Sequence, residues 1–238
     1  MGKPMHPDSP EAVMAYLERF VTPERRAKMD AVLAYRTRQI TVVAEDFHDP
    51  HNASALLRTC ESLGLQDVHV VENFNTFKTR RGAASGAKKW ITLHQHREPH
   101  ENNTAHCLHQ LRSQGYLLVA TTPHDDAYTP ETLPLDQKLA ICFGSECYGL
   151  SDQALQMAGR QLKIPMVGFV ESLNVSVSAA LCLYTLTRRL REQGDSWQLS
   201  DRDRLDLRLQ WLRQSAQHGQ ALENYFLSQP REPTADAY

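Results

Sequence analysis

Three short segments carry residue types and spacings that can do chemistry. The first is His51-Asn52-Ala53-Ser54-Ala55-Leu56-Leu57-Arg58, in which the amide of Asn52 precedes the guanidinium of Arg58 by six residues. On a helix that separation is nearly two turns, so Asn52 sits at the helix start and Arg58 projects from its body. The second is Phe143-Gly144-Ser145-Glu146-Cys147-Tyr148-Gly149-Leu150-Ser151, where Glu146 can accept from Asn52 or from backbone N–H groups. The third runs from Ile164-Pro165-Met166 through Gly168 to Ser172-Leu173-Asn174-Val175-Ser176. Pro165 ends a strand by removing a backbone donor, and Ser172 and Asn174 are helix-capping types. The free N–H groups of a helix start can hold the polar part of a ligand. Each segment also has a plainer reading: strand-to-helix loops, capping residues, and a surface Arg58 paired with Glu61.

Other chemistries lack their residues. Gly144-x4-Gly149-Leu150-Ser151 resembles a phosphate-binding loop, but leucine stands where the lysine must be. Neither a G-x-G-x-x-G nor a G-x-S-x-G motif occurs. His94, His96, His100, His106 and His109 read as surface histidines without paired cysteines, so no metal is expected.

These segments must be positioned by alternating elements. Apolar spacing predicts two helices between Pro10 and Arg38, the second capped at Thr22 with Pro23 in its first turn. Strands are expected over 40–44, 68–71, 90–93, 116–121, 139–143 and 162–164. Helices are expected from Asn52 to Leu63, over 105–114, over 152–158 behind Ser151, and from Asn174 to about residue 190. This alternation argues for an α/β fold with a parallel sheet covered by helices on both sides. Strand ends at Thr121, Gly144 and Ile164 then share one edge, where such folds bind ligands. The helix after Asn174 carries Val175, Ala179, Cys182, Leu186 and Leu190 on one stripe, with Val177, Leu181 and Tyr184 beside it. So wide an apolar face implies a partner, hence a homodimer. After Gly194 a polar linker leads to a helical segment over 200–226, and the last dozen residues read as unstructured.

The chain has 238 residues, 41% of them hydrophobic, and a formal charge of −2. Positive charge concentrates between Arg19 and Arg38, with six Lys or Arg, and between Arg188 and Arg213, with seven Arg. Such local patches can bind nucleic acid although the whole chain is slightly acidic. Five cysteines with no C-x-x-C spacing read as reduced and mostly core residues, and no apolar run suggests a signal or membrane segment. A soluble, cytoplasmic protein is expected.

The ordered triple N-x5-R, FGSExxGLS and IPM with SLNVSVSAA resembles the motifs of the SpoU/TrmH branch of the SPOUT methyltransferases, from about Thr22 to about Arg191. The resemblance implies a C-terminal trefoil knot, which no periodicity shows, and S-adenosylmethionine as cofactor, held at Thr121, Gly144, Ile164 and Leu173. It implies catalytic roles for Arg58, Asn52, Glu146, Ser172 and Asn174. A guanidinium with a pKa above about 12 is a poor base. Arg58 would instead bind the phosphate beside the target ribose and stabilise charge as the 2'-oxygen attacks. Residues 1–38 and 195–238 would be helical extensions around a methyltransferase domain over 39–194. tRNA would be bound through Arg25, Arg26, Arg36, Arg38, Arg81, Lys88, Lys89, Arg188 and Arg189, with a small-residue loop from Gly82 to Gly86 approaching its backbone. The implied activity is ribose 2'-O-methylation at guanosine 18 of the tRNA D-loop. Methylation of rRNA or another tRNA position, or a non-catalytic RNA-binding protein of the same fold, are the alternatives.

Overall fold

The computed structural model describes residues 9–80, 85–123 and 127–229. Its elements are α1 (Pro10–Glu18), α2 (Pro23–Leu33), β1 (Ile40–Glu45), α3 (Pro50–Ser62), β2 (Asp67–Val71), α4 (Ser85–Lys88), β3 (Thr92–His96), α5 (Asn103–Ser113), β4 (Tyr116–Thr121), β5 (Lys138–Phe143), α6 (Asp152–Met157), β6 (Arg160–Leu162), α7 (Val175–Glu192), α8 (Asp201–Ser215) and α9 (Gly219–Ser228). Arg81, residues 82–84 of the small-residue loop, most of the leader and most of the tail lie outside the described residues. The described residues fall into two compact units, one within Arg36–Gln198 and one made by the residues before 36 and after 198.

In the larger unit the β-branched run Ile40-Thr41-Val42-Val43 becomes an interior strand, and all six residues of β1 are buried. Continuous burial of this kind belongs to a parallel sheet covered on both faces. The six strands are all parallel in the order β3-β2-β1-β5-β4-β6. Ile40, Val42 and Ala44 pack with Leu56, Leu57 and Cys60 of α3 and with Cys182, Leu183 and Leu186 of α7. Val43 points the other way, into a layer with Cys107, Leu108 and Leu111 of α5 and Ala154 and Met157 of α6. The C-terminal ends of all six strands therefore face one edge. Burial pushes the thiols of Cys60 and Cys182 up to about 12, so these cysteines serve as inert small hydrophobes. Along α7 the main apolar stripe is inside, while Val177, Leu181 and Tyr184 remain exposed.

In the terminal unit α1 packs on α8 and α9, and α2 packs on α8. Arg208 bridges Glu18, at 2.7 Å, and Asp30, and Tyr16 stacks on Phe226. The single helical segment expected over 200–226 is broken in two. Residue 216 leaves the helix, His218 takes a left-handed φ of 58°, and Gly219 lies so close to the Arg213 carbonyl that a Cβ would meet it at 2.1 Å. Among the described residues no helix is long and apolar enough to cross a membrane.

Two arginines expected on an RNA-facing surface make bonds within the fold, and only Arg36 is buried, while Arg189 stays partly exposed. Arg36 is 0% exposed: its Nη2 donates to Glu61 Oε1 at 2.9 Å and its Nη1 to the Leu65 carbonyl at 3.3 Å. Arg189 donates through Nη1 to the carbonyls of Pro130 and Leu133, tying α7 to the segment before β5. Sequence charge alone does not distinguish an arginine that meets solvent from one that satisfies buried carbonyls. Removing the Arg36 guanidinium strands the Leu65 carbonyl and opens a cavity. Arg36→Ala should therefore lower unfolding stability by about 2–4 kcal/mol in urea denaturation, and a loss below about 1 kcal/mol would place Arg36 outside the fold's supports.

Candidate active site

The loop between β5 and α6 explains the two glycines of the second motif. Ser145 and Gly149 exchange two backbone hydrogen bonds of 2.9 Å, so the chain doubles back on itself. A Cβ on Gly144 would lie 2.0 Å from the Gly149 carbonyl carbon, and Gly149 turns at a φ of +68°. Gly144 has no room for a side chain, and the left-handed backbone at Gly149 favours glycine. At the loop's end Ser151 donates its N–H and hydroxyl to buried Glu45, while its hydroxyl also caps α6. This closed loop presents Glu146 toward the start of α3.

There the Glu146 carboxylate gathers three donors: the His48 N–H at 3.0 Å, the Asp49 N–H at 3.2 Å and the Asn52 amide at 2.8 Å. Asn52 is 6% exposed and accepts, through Oδ1, from Asn174 Nδ2 at 3.0 Å. Asn174 Oδ1 in turn accepts from the Ser176 N–H at 2.9 Å and the Ser176 hydroxyl at 2.6 Å, capping α7. One hydrogen-bonded chain thus joins the three sequence motifs. Ser176 was not singled out in the sequence, although it lies two residues beyond a capping asparagine, the usual reach of such a cap.

Beside this chain a cleft of about 800 Å³ opens at the strand ends of β4, β5 and β6. Thr121, Gly144, Glu146, Ile164, Ser172, Leu173 and Asn174 all line it. Among the described residues, no backbone group from Ile164 to Leu173 is hydrogen-bonded to the protein, which leaves N–H and C=O groups along one wall. Leu150, Leu162, Ile164 and Leu173 supply an apolar surface, and the charged lining residues are Lys163, Glu146 and Glu171. Among the described residues the lining carries two carboxylates and one lysine, which disfavours a polyphosphate. Arg58 is elsewhere: it is exposed on α3, does not line the cleft, and has no hydrogen-bond or ion-pair partner among the described residues. Glu61, its expected partner, belongs to Arg36.

The sequence and the fold are both matched in known proteins. The sequence model of the SpoU rRNA Methylase family fits residues 39–184. The chain belongs to this family. A tRNA (guanosine(18)-2'-O)-methyltransferase of Borreliella burgdorferi is 38% identical over 208 residues, which is 87% of this chain and 93% of that protein. The crystal structure of the A. aeolicus TrmH/SpoU tRNA modifying enzyme superposes with a TM-score of 0.71 at 25% identity, covering 83% of this chain and 97% of that one. The SpoU methyltransferase AviRb of Streptomyces viridochromogenes, solved in complex with AdoMet, shares the fold with a TM-score of 0.55 at 23% identity, over 69% of this chain and 62% of that one. The SpoU-family segment contains the whole of the Glu146–Asn52–Asn174 chain.

Burial would raise the Glu146 carboxyl, but the donors from His48, Asn52 and Asp49 outweigh it and hold its pKa below the ordinary 4.5. A group whose folded value is depressed stabilises the fold fully above its unfolded value, and that contribution fades as the pH falls through the folded one. The stability difference between the native protein and Glu146→Gln should be constant at neutral pH and shrink once the pH drops below 4.5. A difference that stays level through the acid range would contradict the assigned ionisation.

Proposed function

We propose that this protein is an S-adenosylmethionine-dependent tRNA (guanosine-18) ribose 2'-O-methyltransferase acting as a cytoplasmic homodimer. The observation that carries the reading is the hydrogen-bonded chain Glu146–Asn52–Asn174 beside a cleft lined by Thr121, Gly144, Ile164 and Leu173. Relatives named for guanosine-18 methylation align over most of the chain and supply the substrate.

S-adenosylmethionine, when bound, supplies a methyl group activated by a sulfonium. Leu173 and Ile164 would pack on its adenine, and the unpaired backbone groups between them would take its polar edges. The carboxylates of Glu146 and Glu171 favour its positive charge. Glu146 fixes Asn52, and Asn52 fixes Asn174, so the amide at the start of α7 is held toward the cleft where it can orient a ribose. Ser172 lines the same wall.

Arg58 carries the charge side of the reaction. Exposed and without a hydrogen-bond or ion-pair partner among the described residues, it is available to a phosphate next to the target ribose, where it would stabilise negative charge on the attacking 2'-oxygen. Phosphate or water takes the proton, because a guanidinium cannot. The exposed Val177, Leu181 and Tyr184 on α7 would be covered by a second copy, and the return from β6 at the sheet edge to α7 on α3 would form the family's trefoil knot. Arg25, Lys88 and Arg188 are exposed and suited to phosphate, and Arg26, Arg38 and Lys89 are partly exposed. Arg189 is likewise partly exposed, and only buried Arg36 is not in this set. The helical unit made by the two chain ends would serve as an RNA-binding extension.

Incubation with labelled S-adenosylmethionine and unmodified tRNA, followed by nucleoside mapping, tests the assignment. The expected product is 2'-O-methylguanosine in the D-loop, and Arg58→Ala should lose at least about 100-fold in turnover while cofactor affinity changes less than about twofold. Label on rRNA alone would overturn the substrate, no transfer to any RNA would overturn the activity, and parallel loss of turnover and cofactor binding in Arg58→Ala would place Arg58 in the fold.

A further inference from the structure

The face of the sheet under α5 holds a polar cluster that the cleft does not use. The parallel register sets His69 of β2 beside His94 of β3, and Val71 beside His96. These side chains share a face with Cys107 of α5, which is fully buried. His94 and His96, expected at the surface, are turned partly inward, and His69 is 3% exposed. Val71, Leu108, Leu111 and Leu118 line this layer, with the buried carboxylate of Glu45 near Cys107 and the His106 ring near His96. Imidazoles in such a layer are costly unless something satisfies them.

His69 Nδ1 and His96 Nε2 share a hydrogen bond of 3.1 Å, which satisfies one nitrogen of each ring and which a bound metal would replace. One nitrogen of each ring and the Cys107 sulfur all lie within 4.8 Å of one another. His94 stacks on His69 with ring centroids 4.4 Å apart, and its Nε2 meets Asp67 Oδ1 at 2.9 Å, so the shelf beneath His69 is itself held. Tetrahedral zinc, with bonds of about 2.0–2.1 Å to nitrogen and about 2.3 Å to sulfur, needs ligand atoms roughly 3.3–3.7 Å apart. The two nitrogens are already near that spacing, and small rotamer changes bring in the sulfur.

We propose that His69, His96 and Cys107 form a zinc-binding site that clamps α5 to β2 and β3. Two imidazoles and a thiolate are a donor set that prefers zinc over magnesium or calcium. Binding sets the Cys107 proton free to solvent and leaves the fourth position to water. None of the three residues lines the cleft at the far strands, so the role is structural and independent of the proposed methyl transfer.

The test uses the full chain, stripped with chelator and titrated with Co²⁺ and then Zn²⁺. A thiolate-to-cobalt band in the near ultraviolet should saturate at one ion per chain, disappear on Zn²⁺ addition, and be absent in both Cys107→Ser and His96→Gln. The band should survive Cys147→Ser, which removes the exposed thiol. With Zn²⁺ about 100-fold above Kd, the folded state gains about 100-fold in its favour, a rise of several degrees in Tm that Cys107→Ser should lack. No band in the native protein, a band retained in folded Cys107→Ser, or a band lost in Cys147→Ser would each overturn the site.

Discussion

Asn52 has both ends of its amide committed inside the protein, donating to Glu146 and accepting from Asn174. A buried amide leaves little freedom, because an unmet donor or acceptor costs about 1–3 kcal/mol. Satisfying both ends requires the loop after β5 and the start of α7 to stand at fixed positions around the first turn of α3. That requirement propagates outward. The β5 loop, closed on itself by the Ser145–Gly149 backbone pair, presents Glu146 to this amide, and the N-cap of α7 stands at the cleft. The site is therefore built from one shared side chain and not from three independent loops.

The sheet makes this economical. Because all strands are parallel, every loop that follows a strand emerges on one edge, and helices on both faces keep the strands themselves out of solvent. The segment from Ile164 to Leu173 departs from this tight pattern: it has no protein partners for its backbone among the described residues. A loop lacking internal hydrogen bonds is a weak structural support and a good ligand wall, and the two properties have the same origin.

Much of this was legible in the residues. Alternating strand and helix patterns located the parallel sheet, and Ser151 and Asn174 cap the helices expected of them. Strand edges moved by two or three residues, as at Thr92–His96 and Arg160–Leu162, because pairing with neighbours and not local propensity sets where a strand stops. The strand order was not legible, since no local signal says that β5 lies beside β1. Nor were the fates of the arginines: Arg36 and Arg189 look like surface charge in sequence but hydrogen-bond to carbonyls brought near by the fold. The inward turn of His69 and His96 had the same cause, a register that only the assembled sheet defines.

The claim that Asn52 makes one unit of three motifs can be measured without touching Asn52. Glu146 and Asn174 are joined through its amide. A double-mutant cycle with Glu146→Gln, Asn174→Ala and the double variant, read by calorimetric affinity for S-adenosylhomocysteine, isolates their coupling. Transmission through Asn52 predicts a coupling of at least about 1 kcal/mol, whereas effects that add to within about 0.5 kcal/mol would contradict it.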